Sequence, residues 1–178
     1  MQLALQNGCQ AARVSIITGK NNSFEYRDKQ LDRLHQSSEN KLYIELFVDQ
    51  RYGSFSTNRI EKTELEKFIK EGILSTRYLA TDTCRQLPDS SRYYKPDGTD
   101  LDLCDPSFES VDTEQKLAAA RQGIEEIWGT DDRIISISSS YDDGIGSEYM
   151  IASNGFEAET SDSAFSWTGP VSLKTESH

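Results

Sequence analysis

Leu42-Tyr43-Ile44-Glu45-Leu46-Phe47-Val48, then Asp49-Gln50-Arg51, then Tyr52-Gly53-Ser54-Phe55-Ser56-Thr57 reads as two strands joined by a tight turn. Aromatic and aliphatic side chains of this kind suit a pleated, half-buried surface, and the polar triplet folds the second run back antiparallel to the first. Glu45 is the only charge in the first run. A lone carboxylate there is expected on the solvent face, because ionised side chains are rarely buried without a partner.

Upstream, Gln2-Leu3-Ala4-Leu5-Gln6 has helix-forming residues and Asn7-Gly8 is a stop signal, so the chain opens on what reads as the last turns of a helix. Alternation from Ala11 through Ile17 predicts a strand, Gly19 to Asn22 a turn, and Ser23 to Asp28 a second strand. Lys29 to Ser38 has Leu31 and Leu34 at helical spacing in a short, turn-bounded setting, and is read as strand.

Downstream, Thr63-Glu64-Leu65-Glu66 has the spacing of a capping box, and Leu65, Phe68, Ile69, Gly72, Ile73 and Thr76 follow the helical period, predicting a helix over 63–80. Residues 81–105 are polar and punctuated by Leu87-Pro88-Asp89, Lys95-Pro96-Asp97-Gly98 and Asp105-Pro106, a long connection that Tyr93 and Tyr94 are expected to pin down. Asp112 and Gln115 predict a second capped helix with an apolar face of Leu117, Ala120, Ile124, Ile127 and Trp128, ended by Gly129. Strands are expected at 134–141, 148–153 and 156–168, with turns at Asp142-Asp143-Gly144 and Asn154-Gly155 and a last strand starting near Val171.

This order predicts an α+β fold of two small units, each of antiparallel strands packed with a helix: 1–85, a connection 86–110, and 111–178, the second reading as truncated. Too few helices alternate with strands for a doubly wound sheet.

The 178 residues suffice for one ordinary domain or two small ones, and 35% hydrophobic with 10% aromatic residues excludes a disordered tail. No apolar run approaches the roughly 20 residues of a spanning helix and no basic segment precedes the first apolar stretch, so a soluble chain without an export signal is expected. Cys9, Cys84 and Cys104 are odd in number and widely spaced, which offers neither a disulfide framework nor a CxxC motif and fits a reducing cytoplasm. Net charge is −11, and it is uneven. Residues 1–90 hold 13 Lys and Arg against 12 Asp and Glu, while residues 91–178 hold 6 against 18. Nucleic acid is disfavoured as a partner, since phosphate-binding surfaces cluster cations.

Candidate chemistry is sparse. His35 and His178 are the only histidines, with no HExxH or HExxxH, so no complete zinc site is expected; His35 reads as a surface or hydrogen-bonded structural residue. No GxSxG elbow is present, and the three cysteines, which lack neighbouring histidines, read as structural or incidental. Gly144-Ile145-Gly146 has acidic neighbours that would repel phosphate and reads as a hairpin turn. Asp131, Asp132, Asp142, Asp143 and Glu148 could gather around a hard cation, but they do not match an EF-hand and read as solvated turn acids. Ser136, Ser138, Ser139 and Ser140 read as the polar side of a strand. No catalytic, cofactor-binding or metal-binding residue is assigned.

Read end to end, the chain resembles the amino-terminal portion of the TldD/PmbA (TldE) family, once described as modulators of DNA gyrase and now regarded as metalloprotease subunits. The resemblance rests on Gly8-Cys9-Gln10-Ala11-Ala12-Arg13-Val14-Ser15, on Phe47 to Asn58, and on the helix followed by Leu87-Pro88-Asp89. The helix 118–132, Ile134-Ile135-Ser136-Ile137 and Ile151 to Phe156 are similar to the next region of the same proteins. Family members are more than twice as long, and the TldD branch carries its HExxxH motif and zinc beyond the part matched. The resemblance therefore implies a cytoplasmic subunit, without the metal site in this chain, that pairs with a TldD/PmbA-type partner around a chamber where unfolded peptides are bound as strands and cleaved. The wording of the motifs favours the PmbA/TldE branch. A non-catalytic binding module, such as a modulator of DNA gyrase, is the alternative.

Overall fold

The computed structural model describes residues 1–95 and 97–175. Its elements are α1 (Gln2–Gln6), β1 (Ala11–Arg27), β2 (Gln30–Val48), β3 (Arg51–Thr57), α2 (Lys62–Thr76), α3 (Thr113–Ile127), β4 (Ile134–Ala152), β5 (Glu157–Thr168) and β6 (Val171–Leu173), with single 3-10 turns at Ser90–Arg92 and Phe108–Ser110. The strands run in the order β3-β2-β1-β4-β5, and β6 pairs with β4. Both the β2–β3 and the β4–β6 pairs are antiparallel, and the fold is α+β.

The chain forms two compact units that are interleaved in sequence, the first from 1–18, 39–101 and 147–160, the second from 19–38, 102–146 and 161–178. The long strands are shared between them. The segments expected from the sequence, 1–85, 86–110 and 111–178, are each continuous in the chain.

In the first unit, β2 and β3 form the expected hairpin, Val48 opposite Arg51 and Leu42 opposite Thr57. Its two turn residues, Asp49 and Gln50, both have positive φ, 50° and 59°, which matches the twist of the flanking strands. One sheet face buries Ala12, Val14, Leu42, Ile44, Leu46 and Val48 against Ile69 and Ile73 of α2 and Ala4 of α1. Close approach of α2 requires Gly53, because a Cβ there would lie 2.3 Å from Thr76 Oγ1. Helix α2 spans 62–76 and lacks the predicted capping box: Glu61 is its N-cap and no side chain bonds there. The connection is irregular, as expected. Tyr93 packs edge-on against Phe156 at 5.0 Å, whereas Tyr94 is exposed.

In the second unit, α3 does carry its capping box, with Gln115 N–H donating to Asp112 at 2.8 Å and Asp112 N–H donating to Gln115 Oε1 at 2.8 Å. Its buried side is Lys116, Ala120 and Ile124. Phe24, Ala120 and Tyr141 form the core with Leu117, Tyr26 and Phe165 packed on it. Trp128, expected in that core, is 37% exposed at the helix end beneath the Lys29 ammonium. Lys29 lies in the turn before β2, and residues 30–38 are strand, as read.

Two expected turns are not turns. Gly19 to Asn22 lies inside β1 and Asp142-Asp143-Gly144 inside β4, neighbouring strands that face each other here. Gly144 serves close strand contact, since a Cβ there would lie 2.7 Å from Asn21 Oδ1, whereas a Cβ on Gly19 would make only an ordinary contact, 3.6 Å from the Ile145 carbonyl oxygen. The true turns are at Asp28-Lys29, where Asp28 has φ 55°, and at Asn154-Gly155, where Gly155 has φ 93°.

Candidate functional site

Among the described residues of the first unit, α1 and α2 pack on the aliphatic face of the hairpin, and the other face carries no helix of this unit. Residues that alternate with the buried set point there: Tyr43, Glu45 and Phe47 on β2, paired with Ser56, Ser54 and Tyr52 on β3. Phe47 and Tyr52 are in ring contact at 5.3 Å, and the Arg85 guanidinium lies 4.5 Å from the Tyr52 ring centroid. Glu45, expected at the surface, is buried, 5% exposed. Its partners explain this. The Arg13 guanidinium forms an ion pair and hydrogen bond with Oε2, and the Tyr52 hydroxyl donates to Oε1 at 2.5 Å. The hydrogen bond to Glu45, with its charge, raises Arg13, while burial, and then the hydrogen bond to Glu45, push Tyr52 up to about 12. The cluster keeps its phenol protonated and makes a fixed polar patch on this second sheet face. Beside the hairpin turn lies a shallow cleft of about 450 Å³ lined by Gln10, Phe47, Asp49, Asp82 and Arg85.

The second unit buries its charge on the helix side. Lys116 of α3 lies 2.7 Å from Asp143 Oδ2, an ion pair without aligned hydrogen-bond geometry, and both side chains are under a tenth exposed. Asn22 Nδ2 donates to Asp143 Oδ1 at 2.6 Å, and Gln36 Nε2 donates to Asn22 Oδ1 at 3.0 Å, so a polar chain crosses from β2 through β1 and β4 to α3. Burial and the Asp143 carboxylate raise the Tyr141 hydroxyl well above the usual phenol range. Asp143 also borders an open cleft of about 440 Å³ lined by Asn21, His35, Asp142, Asp162 and Phe165.

The residues singled out from the sequence are scattered. His35 is exposed on β2 and lines the second cleft; His178 lies outside the described residues, as does Pro96. The Cys9 thiol is buried, donates to the Ala11 carbonyl at 2.8 Å, and is pushed up by burial; Cys84 is exposed and Cys104 half-buried. Asp131 is held by Arg133 in the turn before β4 and lowered to about 2 by it, while Asp142 accepts from the Ser140 hydroxyl. Asp143 is not a solvated turn acid but half of a buried pair. Gly144-Ile145-Gly146 is strand, and Ser139 is on the buried face with Ile137 and Tyr141. Among the described residues no three His, Cys, Asp or Glu side chains gather in a way that could hold a metal ion, and no helix is long and apolar enough to cross a membrane. Sequence reasoning missed both charge clusters. Arg13 and Glu45 are 32 positions apart, and the only signal was a lone charge in an apolar run.

Comparison with known proteins bears on the whole chain. Residues 12–75 match the family described as PmbA/TldA metallopeptidase domain 1. A crystal structure described as a modulator of DNA gyrase from Bacteroides thetaiotaomicron is 50% identical and superposes with a TM-score of 0.95, covering 99% of this chain and 40% of that one. A second so described, from Thermotoga maritima, is 16% identical with a TM-score of 0.69, covering 98% and 42%; TldE from Thermococcus kodakarensis is 11% identical with a TM-score of 0.73, covering 98% and 38%. The latter two show the shared fold. No curated protein sequence matches. The chain thus spans about two fifths of the length of the solved structures it resembles, and the resemblance to the TldD/PmbA family expected from the sequence is shown.

Proposed function

We propose that this chain, whose residues 12–75 carry a PmbA/TldA metallopeptidase first domain, serves as the amino-terminal region of a TldD/PmbA-type subunit that shapes a peptide cleft and a subunit contact. The observation that carries the reading is likeness along the entire chain, 50% identity over 99% of its length at a TM-score of 0.95. In this reading zinc is bound outside residues 1–178, the chain supports a catalytic partner rather than cleaving alone, and the compartment is the cytoplasm. Its own contribution is sheet surface. Main-chain edges bind extended peptides with little demand on sequence, which suits handling of unfolded chains.

The test is to incubate the purified chain with zinc and an unstructured peptide, alone and with a full-length TldD-type partner, and to follow products by mass spectrometry. Cleavage that needs the partner and rises with this chain supports the reading. Cleavage by the chain alone overturns the placement of the metal elsewhere. The description shared by two of the solved structures favours a second reading, a module that contacts DNA gyrase; gyrase capture without any stimulation of cleavage would establish that one.

A further inference from the structure

Strand β3 ends the strand order, so only one of its edges meets a neighbour. Its register determines what the other edge offers. In a two-residue hairpin the residues flanking the turn exchange both main-chain hydrogen bonds, and bonded and non-bonded pairs alternate from there. With Val48 opposite Arg51, the positions bonded to β2 are Arg51, Gly53 and Phe55, and the N–H and C=O groups of Tyr52, Ser54 and Ser56 point away from it. Among the described residues no main-chain hydrogen bond reaches those three residues on that side. The connection meets this margin at its turn end, where Asp82 N–H donates to the Gln50 carbonyl at 2.8 Å, the Leu79 carbonyl accepts from Arg51 and Arg85 lies over the Tyr52 ring.

Proteins usually blunt an open edge with proline, lysine, a bulge or an inward charge. None interrupts Arg51–Thr57, and its pairing with β2 runs without a register shift. Ser54 and Ser56 are small and exposed. Charge sets the class of occupant. Residues 50–60 hold Arg51 and Arg59 and no acid, in a chain of net charge −11. The Arg51 guanidinium donates to the carbonyls of Leu79 and Asp49, which leaves its charge uncancelled by a carboxylate, and Arg59 meets Glu64 only at 3.8 Å in solvent, a contact of little strength.

The geometry points to the outer edge of β3 as the seat of an acidic, extended peptide that joins the sheet as an added strand. Its main chain bonds to Tyr52, Ser54 and Ser56, alternate side chains lie beside Tyr52 on the face opposite α2, and its carboxylates are drawn to Arg51 and Arg59 at the two ends. This assignment rests on the peptide-handling reading above and narrows it to one edge and one charge class.

The alternation provides the test. The isotope-labelled full chain is titrated at low salt with a short, unstructured, glutamate-rich peptide while amide hydrogen exchange is followed residue by residue. Exchange at Tyr52, Ser54 and Ser56 is expected to slow by about tenfold or more, with Gly53 and Phe55, already bonded to β2, nearly unchanged. The lysine-substituted counterpart of the peptide should bind more weakly by about tenfold, which is also what Ser54→Pro should cost by removing the central N–H. An N-methylated version of the glutamate-rich peptide, which leaves the protein untouched, should lose affinity as Ser54→Pro does even if that variant folds poorly. Uniform or absent protection overturns the assignment, as does equal binding of the lysine peptide. Protection that grows with protein concentration and no peptide would instead give the edge to a second copy of the chain. Stimulated cleavage without alternating protection removes the edge and leaves the proposed function standing; alternating protection without stimulation does the reverse.

Discussion

The two units solve the same packing problem with different materials. The first closes an aliphatic layer, Val14, Leu42, Ile44, Leu46, Val48, Ile69 and Ile73, and keeps its buried carboxylate, Glu45, on the opposite sheet face beside Arg13 and Tyr52. In the second, the layer between α3 and the strands contains Lys116, Asp143 and Ser139 as well as Phe24 and Tyr141. The difference teaches where each unit is vulnerable. Apolar contacts fade in proportion to the atoms removed, whereas a buried pair tolerates the loss of both partners better than the loss of one.

The sharpest way to break the comparison is Lys116→Met. It leaves Asp143 without its cation and is expected to cost about 3–5 kcal/mol in urea unfolding, with much of the loss recovered when Asp143→Leu is added. A double variant as unstable as the single would show that the pair acts through something other than its charges. Next comes Leu46→Ala, fully buried in the first unit, expected to cost about 2–5 kcal/mol with no partner substitution that repairs it. A smaller contrast separates the helices. Asp112→Ala removes a formed cap and should cost about 1 kcal/mol, while Thr63→Ala, in a capping-box sequence whose bond is not made, should stay within about 0.5 kcal/mol.

A further contrast is read at high pH. The folded protein holds the Tyr52 proton up to about pH 12, and the unfolded chain releases it near 10.0. The Tyr52 contribution is therefore complete below that lower value and lost as the pH climbs to about 12. Tyrosinate absorbance should show a late-titrating phenol that Tyr52→Phe removes. A second late phenol, Tyr141, should remain in that variant.

Much of this architecture was legible because its signals are local. The β2–β3 hairpin, the capping box at Asp112 and the turn at Asn154-Gly155 each depend on residues within a few positions of one another. Gly19 to Asn22 and Asp142 to Gly144 misled for a physical reason: glycine next to polar residues marks a turn in isolation and a close strand crossing in a sheet, and only the partner strand distinguishes the two. Glu45 misled because its cation is supplied from β1, and Lys116 carries no sequence mark of its burial. Neither polar cluster could be assembled from spacing, since each joins residues of different strands or of a strand and a helix.

Interleaving of the two units has a consequence for synthesis. The first unit includes residues 147–160 and the second begins at residue 19, so neither corresponds to a single stretch of message. A ribosome delivers both unfinished until the β4–β5 region has emerged, which rules out the usual economy of completing one body before the next is made. For the same reason one crossover between genes cannot trade either unit for another.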